Sequence, residues 1–508
     1  MRIGDILDGV EYRAAAGAQD IEICRITDDS LSVSKGDMFI ALRGYAEDGY
    51  KFIDDAISKG ARAIVAEKEF KAPPGVTKIL VPDTRTALPV IADNFYAHPS
   101  RKLKTIGVTG TNGKTTITYI IESILKGSGE EPGVIGTISY RLNGKGTPAK
   151  NTTPGPLELQ SMLYEMVRSS AHYAVMEVSS HALDQHRVER VSFDVAIFTN
   201  ITPEHLDYHK TPGDYFSAKV KIFDRLKDGG SAILNIDDKS VASLKDVIKK
   251  RVITYGLGKG ARLTAKNIRL SSDSSRFDIV TPDGSFNVST RLIGRYNISN
   301  ILAAVAACSA AGIDIRAMKN GIEAMMFVPG RLEPVECGQP FVVFVDFAHT
   351  EDALNNTLSA LREVSKAEII TVFGCGGDRD KGKRPLMAKT ACKFSGHVVI
   401  TSDNPRFEKP SEIIDEIVGG VKGVYSNYEI EPDRRKAIDK ALSLAKVGSI
   451  VLIAGKGHEN YQIVGDRALP FDDREVAREI LRGTKCRSNP KNEIASSPSA
   501  PRNDGREE

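Results

Sequence analysis

Gly107-Val108-Thr109-Gly110-Thr111-Asn112-Gly113-Lys114-Thr115-Thr116 decides how this chain is read. The apolar run Thr105-Ile106-Gly107-Val108-Thr109 before it predicts a strand, and residues 115–125 after it carry helical spacing. A glycine-rich turn between strand and helix lets backbone N–H groups close around phosphate oxygens, and the helix N-terminus adds partial positive charge. Lys114 is placed to reach β- and γ-phosphates and Thr115 to ligate Mg²⁺. Five residues before Gly113 the usual glycine is replaced by Val108, so the loop is a variant. The bland alternative, a glycine turn with a surface lysine, does not account for the strand and helix on either side.

Working outward, apolar runs at 173–178, 195–199 and 231–236 alternate with helix-length segments. That alternation predicts a mostly parallel sheet covered on both faces. Tyr96-Ala97-His98-Pro99-Ser100 and Val328-Pro329-Gly330-Arg331 are polar or Pro/Gly breaks that bound this unit at residues 101–330. Residues 1–100 form a smaller α/β unit, with strands expected at 37–42 and 61–66 and a helix at 52–59. Residues 331–483 form a third, with strands at 341–346, 368–373, 397–401 and 449–454. Residues 484–508, rich in Ser, Pro, Asn and charge, read as a disordered tail. The expected class is α/β in three domains: a small N-terminal α/β domain, a central P-loop ATPase-like parallel-sheet domain and a C-terminal Rossmann-like domain.

The 508 residues carry a net charge of only +3, which gives no reason to expect nucleic acid or membrane as partners. The N-terminus lacks an apolar signal-peptide core, and the apolar stretch 300–313 is too short to span a bilayer. Cys24, Cys308, Cys337, Cys375, Cys392 and Cys486 form no Cys-x-x-Cys pair and read as reduced thiols. A cytoplasmic monomer acting on small molecules is expected.

Several polar residues fall at strand ends, where open α/β sheets collect ligands. Glu177 ends one such strand and suits a Mg²⁺ ligand. Arg187 suits a carboxylate or pyrophosphate, because its planar fork pairs with anions in bidentate fashion. Thr152 and Thr153, just ahead of a helix, can cap it or hold an anion. Lys219 alone would read as a surface lysine and His205 as structural. Asp346 ends a strand and fits a ribose-hydroxyl acceptor. In the third unit the polar ends are Gly374-Cys375-Gly376-Gly377-Asp378-Arg379, Ser402-Asp403-Asn404-Pro405-Arg406 and Gly455-Lys456-Gly457-His458-Glu459.

Thr109-Gly110-Thr111-Asn112-Gly113-Lys114-Thr115-Thr116 resembles the loop of the Mur ligases and their folylpolyglutamate synthetase relatives. So do Asn200-Ile201 with His205-Leu206-Asp207 and the later Ala218-Lys219, as well as Gly294-Arg295-Tyr296-Asn297-Ile298-Ser299-Asn300 and Pro329-Gly330-Arg331-Leu332-Glu333. Val345-Asp346-Phe347-Ala348-His349-Thr350 is similar to another block, with Phe347 and Glu351 where the family has Tyr and Pro. Asp29-Ser30, Gly36-Asp37-Met38-Phe39-Ile40-Ala41 and Gly44-Tyr45-Ala46-Glu47-Asp48-Gly49 resemble the family's UDP-binding domain, with Leu31 where Arg is usual. Asn151-Thr152-Thr153-Pro154 and Ser179-Ser180-His181 with Gln185-His186-Arg187 resemble the tripeptide-forming members. Asp403-Asn404-Pro405-Arg406 matches those that add meso-diaminopimelate.

The resemblance spans about residues 20–480 and implies an ATP- and Mg²⁺-dependent ligase of peptidoglycan precursor synthesis. It would add meso-diaminopimelate to UDP-N-acetylmuramoyl-L-alanyl-D-glutamate through an acyl phosphate, with domain closure aligning the reactants. By resemblance, Lys114, Glu177, His205 and Lys219 are the catalytic set, and metal binds through Thr115, Glu177, His205 and a carbamylated Lys219. ATP falls to Gly110, Thr111, Asn112, Gly113, Lys114, Thr115, Thr116, Asn297, Asn300, Arg331 and Asp346. The muramoyl dipeptide falls to Ser30, Thr152, Thr153, Ser179, Gln185 and Arg187. Diaminopimelate falls to Arg379, Asp403, Asn404, Pro405, Arg406, Gly455 and Glu459. Arg406 would neutralise the distal carboxylate that lysine lacks, an interaction whose loss when buried costs about 3–5 kcal/mol. A lysine-adding ligase, a folylpolyglutamate synthetase-like ligase and a non-catalytic nucleotide-binding relative stay open as alternatives.

Overall fold

The computed structural model describes residues 1–17, 20–44 and 47–488; Tyr45, Ala46 and the tail from 489 lie outside them. The chain divides into two compact units, the first essentially Met1–Val328 and the second beginning at Pro329.

In the first unit an eight-stranded sheet carries the phosphate loop. Its order is Arg251–Tyr255, Leu226–Asn235, Phe193–Phe198, Lys104–Thr109, Tyr173–Glu177, Gly133–Ile135, Ser139–Leu142, Lys145–Pro148. The first six strands are parallel, and the last two form an antiparallel hairpin at one edge. Residues alternate between two apolar layers, as strand geometry requires. Ile106, Val108, Val175 and Ile197 face the helices Lys114–Gly127 and Arg295–Ala310. Ala174, Met176, Ala196 and Phe198 face Leu159 and Leu163 of Pro156–Arg168. The expected double coverage is what forms. Gly107 is needed in the loop strand because a Cβ there would lie 2.7 Å from the Phe193 ring.

The N-terminal part of this unit folds around a second sheet, ordered Ala14–Ala16, Thr77–Leu80, Ala63–Ala66, Met38–Ile40, Ile26–Thr27. An antiparallel three-stranded sheet, Thr264–Leu270, Ser275–Thr281 and Gly284–Thr290, is absent from the sequence reading. Its strands are largely polar, and Ala265, Phe277, Ile279 and Val288 are their residues in the buried core.

The second unit is a six-stranded sheet ordered Glu333–Pro334, Val342–Asp346, Ile450–Ala454, Ile369–Phe373, His397–Ile400, Tyr428–Ile430, parallel except for the first pair. The strand Ile450–Ala454, last of the parallel strands in sequence, inserts between the first two of them. The loops after Ala454, Phe373 and Ile400 are therefore neighbours. A hairpin, Tyr461–Val464 with Arg467–Pro470, was not anticipated.

Two sequence expectations need correction. The helix after Thr152 and Thr153 starts at Pro156 with Gly155 as N-cap and no side-chain cap, so neither threonine caps it. Residues 484–488 are helical, because the last helix runs Asp473–Ser488. Gly483 is tolerated inside it, since Val476, Ala477 and Leu481 dock the helix on the core at a cost of only about 1 kcal/mol for the glycine.

That helix is anchored by a buried ion pair: Arg434 donates to Asp473 from Nε at 2.8 Å and from Nη2 at 2.7 Å. The same guanidinium donates to the Ser402 and Ala454 carbonyls, tying two strand ends together. Asp473→Asn should destabilise the second unit by about 3–5 kcal/mol, because it leaves Arg434 buried without a counter-charge. Arg434→Met combined with Asp473→Leu should lose less than that single change. Urea denaturation of the three proteins checks both statements, and an equal loss in single and double variants would refute the assignment.

Candidate active site

Parallel pairing sets the loop strand between two others, with Thr109 opposite Phe198 and Val108 opposite Glu177. The phosphate loop is therefore gripped from both sides. On one side Asn200 Oδ1 accepts from Asn112 N–H at 2.9 Å, and the Thr199 hydroxyl donates to the Asn112 carbonyl at 2.7 Å. Gly110 has φ +139°, and a Cβ there would lie 1.9 Å from the Thr199 hydroxyl. Gly113 has φ +92°, and a Cβ there would lie 2.4 Å from Asn300 Oδ1. Asn300 is held in turn by donating to Asn297 Oδ1 at 3.1 Å, so both asparagines sit under the loop. Thr116 is buried in the first turn of the helix. The Lys114 ammonium folds back onto the Gly110 and Thr111 carbonyls at 2.9 and 2.8 Å.

On the other side, Glu177 is buried and accepts from the Thr115 hydroxyl at 3.0 Å. Thr137 holds it with its N–H and hydroxyl, each at 2.9 Å. The donor set fits Mg²⁺: both are hard oxygens, and neighbouring oxygens of an octahedral site at 2.0–2.1 Å are about 2.9 Å apart. Among the described residues no group of three or more His, Cys, Asp or Glu side chains is placed to hold a metal.

Lys219 is fully buried, in contrast to Lys221, which is partly exposed and paired with Asp184 at 3.0 Å. The Lys219 ammonium donates to the Gly110 carbonyl at 2.9 Å and lies 4.5 Å from the Tyr215 ring centre. Burial pushes its pKa well below the usual lysine value; Lys114 adds to this and Glu204 opposes it. Tyr215 reaches the Thr111 hydroxyl at 3.1 Å, joining this helix to the loop. His205 takes φ +57° at the start of a short helix and packs edge-on against His181, ring centres 4.8 Å apart. Burial lowers the pKa of both, His181 to about 4.

Thr153 and Arg187 form a ledge beside the Glu177 strand. The Thr153 hydroxyl donates to the Glu177 carbonyl at 2.8 Å and accepts from Ser179 N–H at 3.1 Å. Arg187 donates to the Thr153 carbonyl at 3.0 Å and to Gln185 Oε1 at 2.6 Å. Thr152 meets Thr137 at 3.1 Å, and Ser179 caps its helix through Ala182 N–H. Ser30 is buried, with its carbonyl accepting from Lys59 at 2.9 Å, while Leu31 beside it is 82% exposed.

In the second unit the three polar strand ends meet. A Cβ on Gly455 would lie 2.7 Å from Asp403 Oδ2. Asp403 is buried and accepts from Asn404 N–H at 2.6 Å. Asn404 donates to Glu459 Oε2 at 2.9 Å. Pro405 is buried, and its carbonyl stands where a Gly377 Cβ would be, at 1.9 Å. Arg406, at φ +51°, donates to the Gly377 carbonyl at 2.8 Å, and the hairpin grips its backbone at Ile463 and Gly465. A Cβ on Gly376 would lie 2.9 Å from Arg406 Nη1 and 3.8 Å from Arg379 Cγ, so both arginines flank this glycine, and burial and then Arg379 lower the pKa of Arg406. Elsewhere in this unit, both Asp346 oxygens are taken, by Leu332 N–H at 2.7 Å and Ala348 N–H at 2.8 Å. The carboxylate therefore fixes the loops that carry Arg331 and His349, and Arg331 lies 4.7 Å over the Phe347 ring.

Residues 22–96 match the description "Mur ligase family, catalytic domain", 108–308 "Mur ligase middle domain" and 330–457 "Mur ligase, glutamate ligase domain". A UDP-N-acetylmuramoyl-L-alanyl-D-glutamate--2,6-diaminopimelate ligase of Caldanaerobacter subterraneus subsp. tengcongensis is 41% identical over 481 residues, covering 95% of this chain and 99% of that protein. The chain belongs to the Mur ligase family. The Clostridium acetobutylicum ligase 1 of the same name is 44% identical over 484 residues, with the same coverage. A solved structure of a diaminopimelate ligase of that name superposes with TM-score 0.69 at 32% identity, over 96% of this chain and 99% of that one.

Within this Mur ligase the fold brings together Lys114, Thr115, Glu177 and Lys219 around one loop, and Arg379, Asp403, Asn404, Arg406, Gly455 and Glu459 around another. The sequence reading missed Thr137, Tyr215 and Arg384. Fully buried Arg384 braces the Gly376 carbonyl at 3.1 Å and the Glu408 carboxylate at 2.9 Å. Nothing in the run Lys381-Gly382-Lys383-Arg384 sets this arginine apart from an ordinary helix-surface cation; only burial separates the two cases.

Two outcomes follow from this geometry. Gly110→Ala should weaken nucleotide binding at least about tenfold, because both its φ and the Thr199 hydroxyl oppose a side chain; titration with a fluorescent nucleotide reads it. Burial, with Arg331 and Arg474 adding to it, depresses the His458 pKa to about 3. The unfolded chain binds that proton near pH 6.5 and the folded one does not. The stabilisation is therefore complete above pH 6.5 and is lost as the pH falls towards 3. Melting temperatures of the protein and of His458→Asn between pH 7 and 4 should show a shallower acid slope in the variant.

Proposed function

We propose that the chain is an ATP-dependent ligase that joins meso-2,6-diaminopimelate to UDP-N-acetylmuramoyl-L-alanyl-D-glutamate, supplying a peptidoglycan precursor. The observation that carries the choice of amino acid is the pair Arg379 and Arg406 beside Asn404 and Glu459. Two neighbouring guanidinium groups suit carboxylates, while Glu459 and the Gly455 carbonyl suit an ammonium. Lysine offers no distal carboxylate and would leave Arg406 without its partner.

In this reading ATP phosphorylates the γ-carboxylate of the D-glutamyl residue, giving an acyl phosphate and ADP. The amine of diaminopimelate attacks the acyl carbon, and phosphate leaves from the tetrahedral intermediate. The protein's part is positioning and electrostatic stabilisation. Backbone N–H groups of residues 110–116 and the Lys114 ammonium hold phosphate oxygens. Mg²⁺ held by Thr115 and Glu177 would neutralise charge on the phosphates. Thr152, Thr153, Ser179, Gln185 and Arg187 hold the muramoyl dipeptide, with Ser30 on the UDP side. Asn297 and Asn300 serve the nucleotide by fixing the phosphate loop, and Arg331 and Asp346 are further nucleotide residues in this reading.

Burial supports carbamylation of Lys219, because CO₂ reacts with a neutral amine and a depressed pKa supplies one. The product is a carboxylate-like oxygen donor, and His205 would stand with it at a second metal position. No helix among the described residues is long and apolar enough to cross a membrane. We place the enzyme in the cytoplasm, as a monomer acting on small molecules.

Phosphate release with ATP, Mg²⁺ and the UDP-linked dipeptide tests this. Release should require meso-diaminopimelate and yield a tripeptide of the matching mass, with L-lysine giving little. Arg406→Met should raise the KM for diaminopimelate at least about a hundredfold. Turnover with lysine instead would overturn the specificity.

A further inference from the structure

Lys456 is fully buried, yet it lies between the residues proposed to read the amino acid. Its ammonium donates to Asn404 Oδ1 at 3.2 Å, to Glu459 Oε2 at 3.2 Å and to the Tyr461 carbonyl. An ammonium has three N–H donors and no acceptor, so these bonds use its whole capacity. They also decide the orientation of an amide. Asn404 Oδ1 accepts from Lys456 and from Ile463 N–H at 3.0 Å, so Asn404 must turn its NH₂ outward, where it donates to Glu459. A lysine with no donor left cannot bind the substrate itself.

We propose that Lys456 is a positioning residue that sets the Asn404 amide and the Glu459 carboxylate for the amino acid. This rests on the ligase reading above. Lys456 acts through Asn404 and Glu459; it does not touch the reacting atoms.

The test is steady-state kinetics of the full-length protein and of Lys456→Met, with the three substrates varied separately. Wild-type turnover with meso-diaminopimelate comes first, because its absence overturns the ligase reading and not the role of Lys456 within it. In Lys456→Met the KM for diaminopimelate should rise on the order of tenfold to a hundredfold, while the KM values for ATP and the UDP-linked dipeptide stay within about twofold. At saturating diaminopimelate kcat should fall by less than the KM rises, since the loss is in holding the amino acid. An unchanged diaminopimelate KM, or three KM values rising together, would overturn the proposal. If Lys456→Met does not fold, a crystal structure of the wild-type complex with meso-diaminopimelate decides. Substrate on Asn404 Nδ2 and Glu459, with Lys456 still on Asn404 Oδ1, supports it; substrate directly on the Lys456 ammonium overturns it.

Discussion

Parallel pairing of the strand Lys104–Thr109 between Phe193–Phe198 and Tyr173–Glu177 is the constraint on which the rest of the first unit depends. Neighbouring parallel strands end on the same edge, so three loops distant in sequence emerge together. One brings Thr199 and Asn200 against the phosphate loop, the other brings Glu177 to Thr115. The loop has no room to relax between them, which is why its glycines lie where a side chain would collide with Thr199 and Asn300. Those glycines serve close approach as well as backbone freedom.

The second unit repeats the principle with different means. The strand Ile450–Ala454 enters between Val342–Asp346 and Ile369–Phe373, bringing the Gly455–Glu459 loop beside the loops of Arg379 and Arg406. Three polar loops at one edge would repel or sag without internal support. Buried cations supply it: Arg434 ties the ends at Ser402 and Ala454, Arg384 braces the Gly376 carbonyl and Glu408, and Lys456 joins Asn404 to Glu459. Each has a carboxylate in reach, which makes burial of its charge tolerable.

Much of the two sites was legible in the sequence, because strand, glycine turn and helix follow one another locally. Lys114, Thr115 and Glu177 could be named from the turn and from a carboxylate at a strand end. Lys219 could not be told from Lys221 by helix position alone; the one is buried under Gly110 and the other pairs with Asp184 nearer the surface. Thr152 and Thr153 precede a helix, so the sequence left open whether they cap it or hold an anion. Neither caps it: Thr152 meets Thr137, and Thr153 donates to the Glu177 carbonyl.

Spacing within a few residues was enough for the α/β class, the phosphate loop and the polarity of the strand ends, so these could be read along the chain without any coordinates. Tertiary structure alone decided which strand ends are neighbours, that a hairpin at Tyr461–Val464 holds the backbone of Arg406, and that Lys456 turns the Asn404 amide. Those depend on strand order and on burial, which join residues far apart along the chain. A lysine or arginine in a polar loop reads the same whether it faces water or is enclosed; only the fold removes the water and gives each charge its partner.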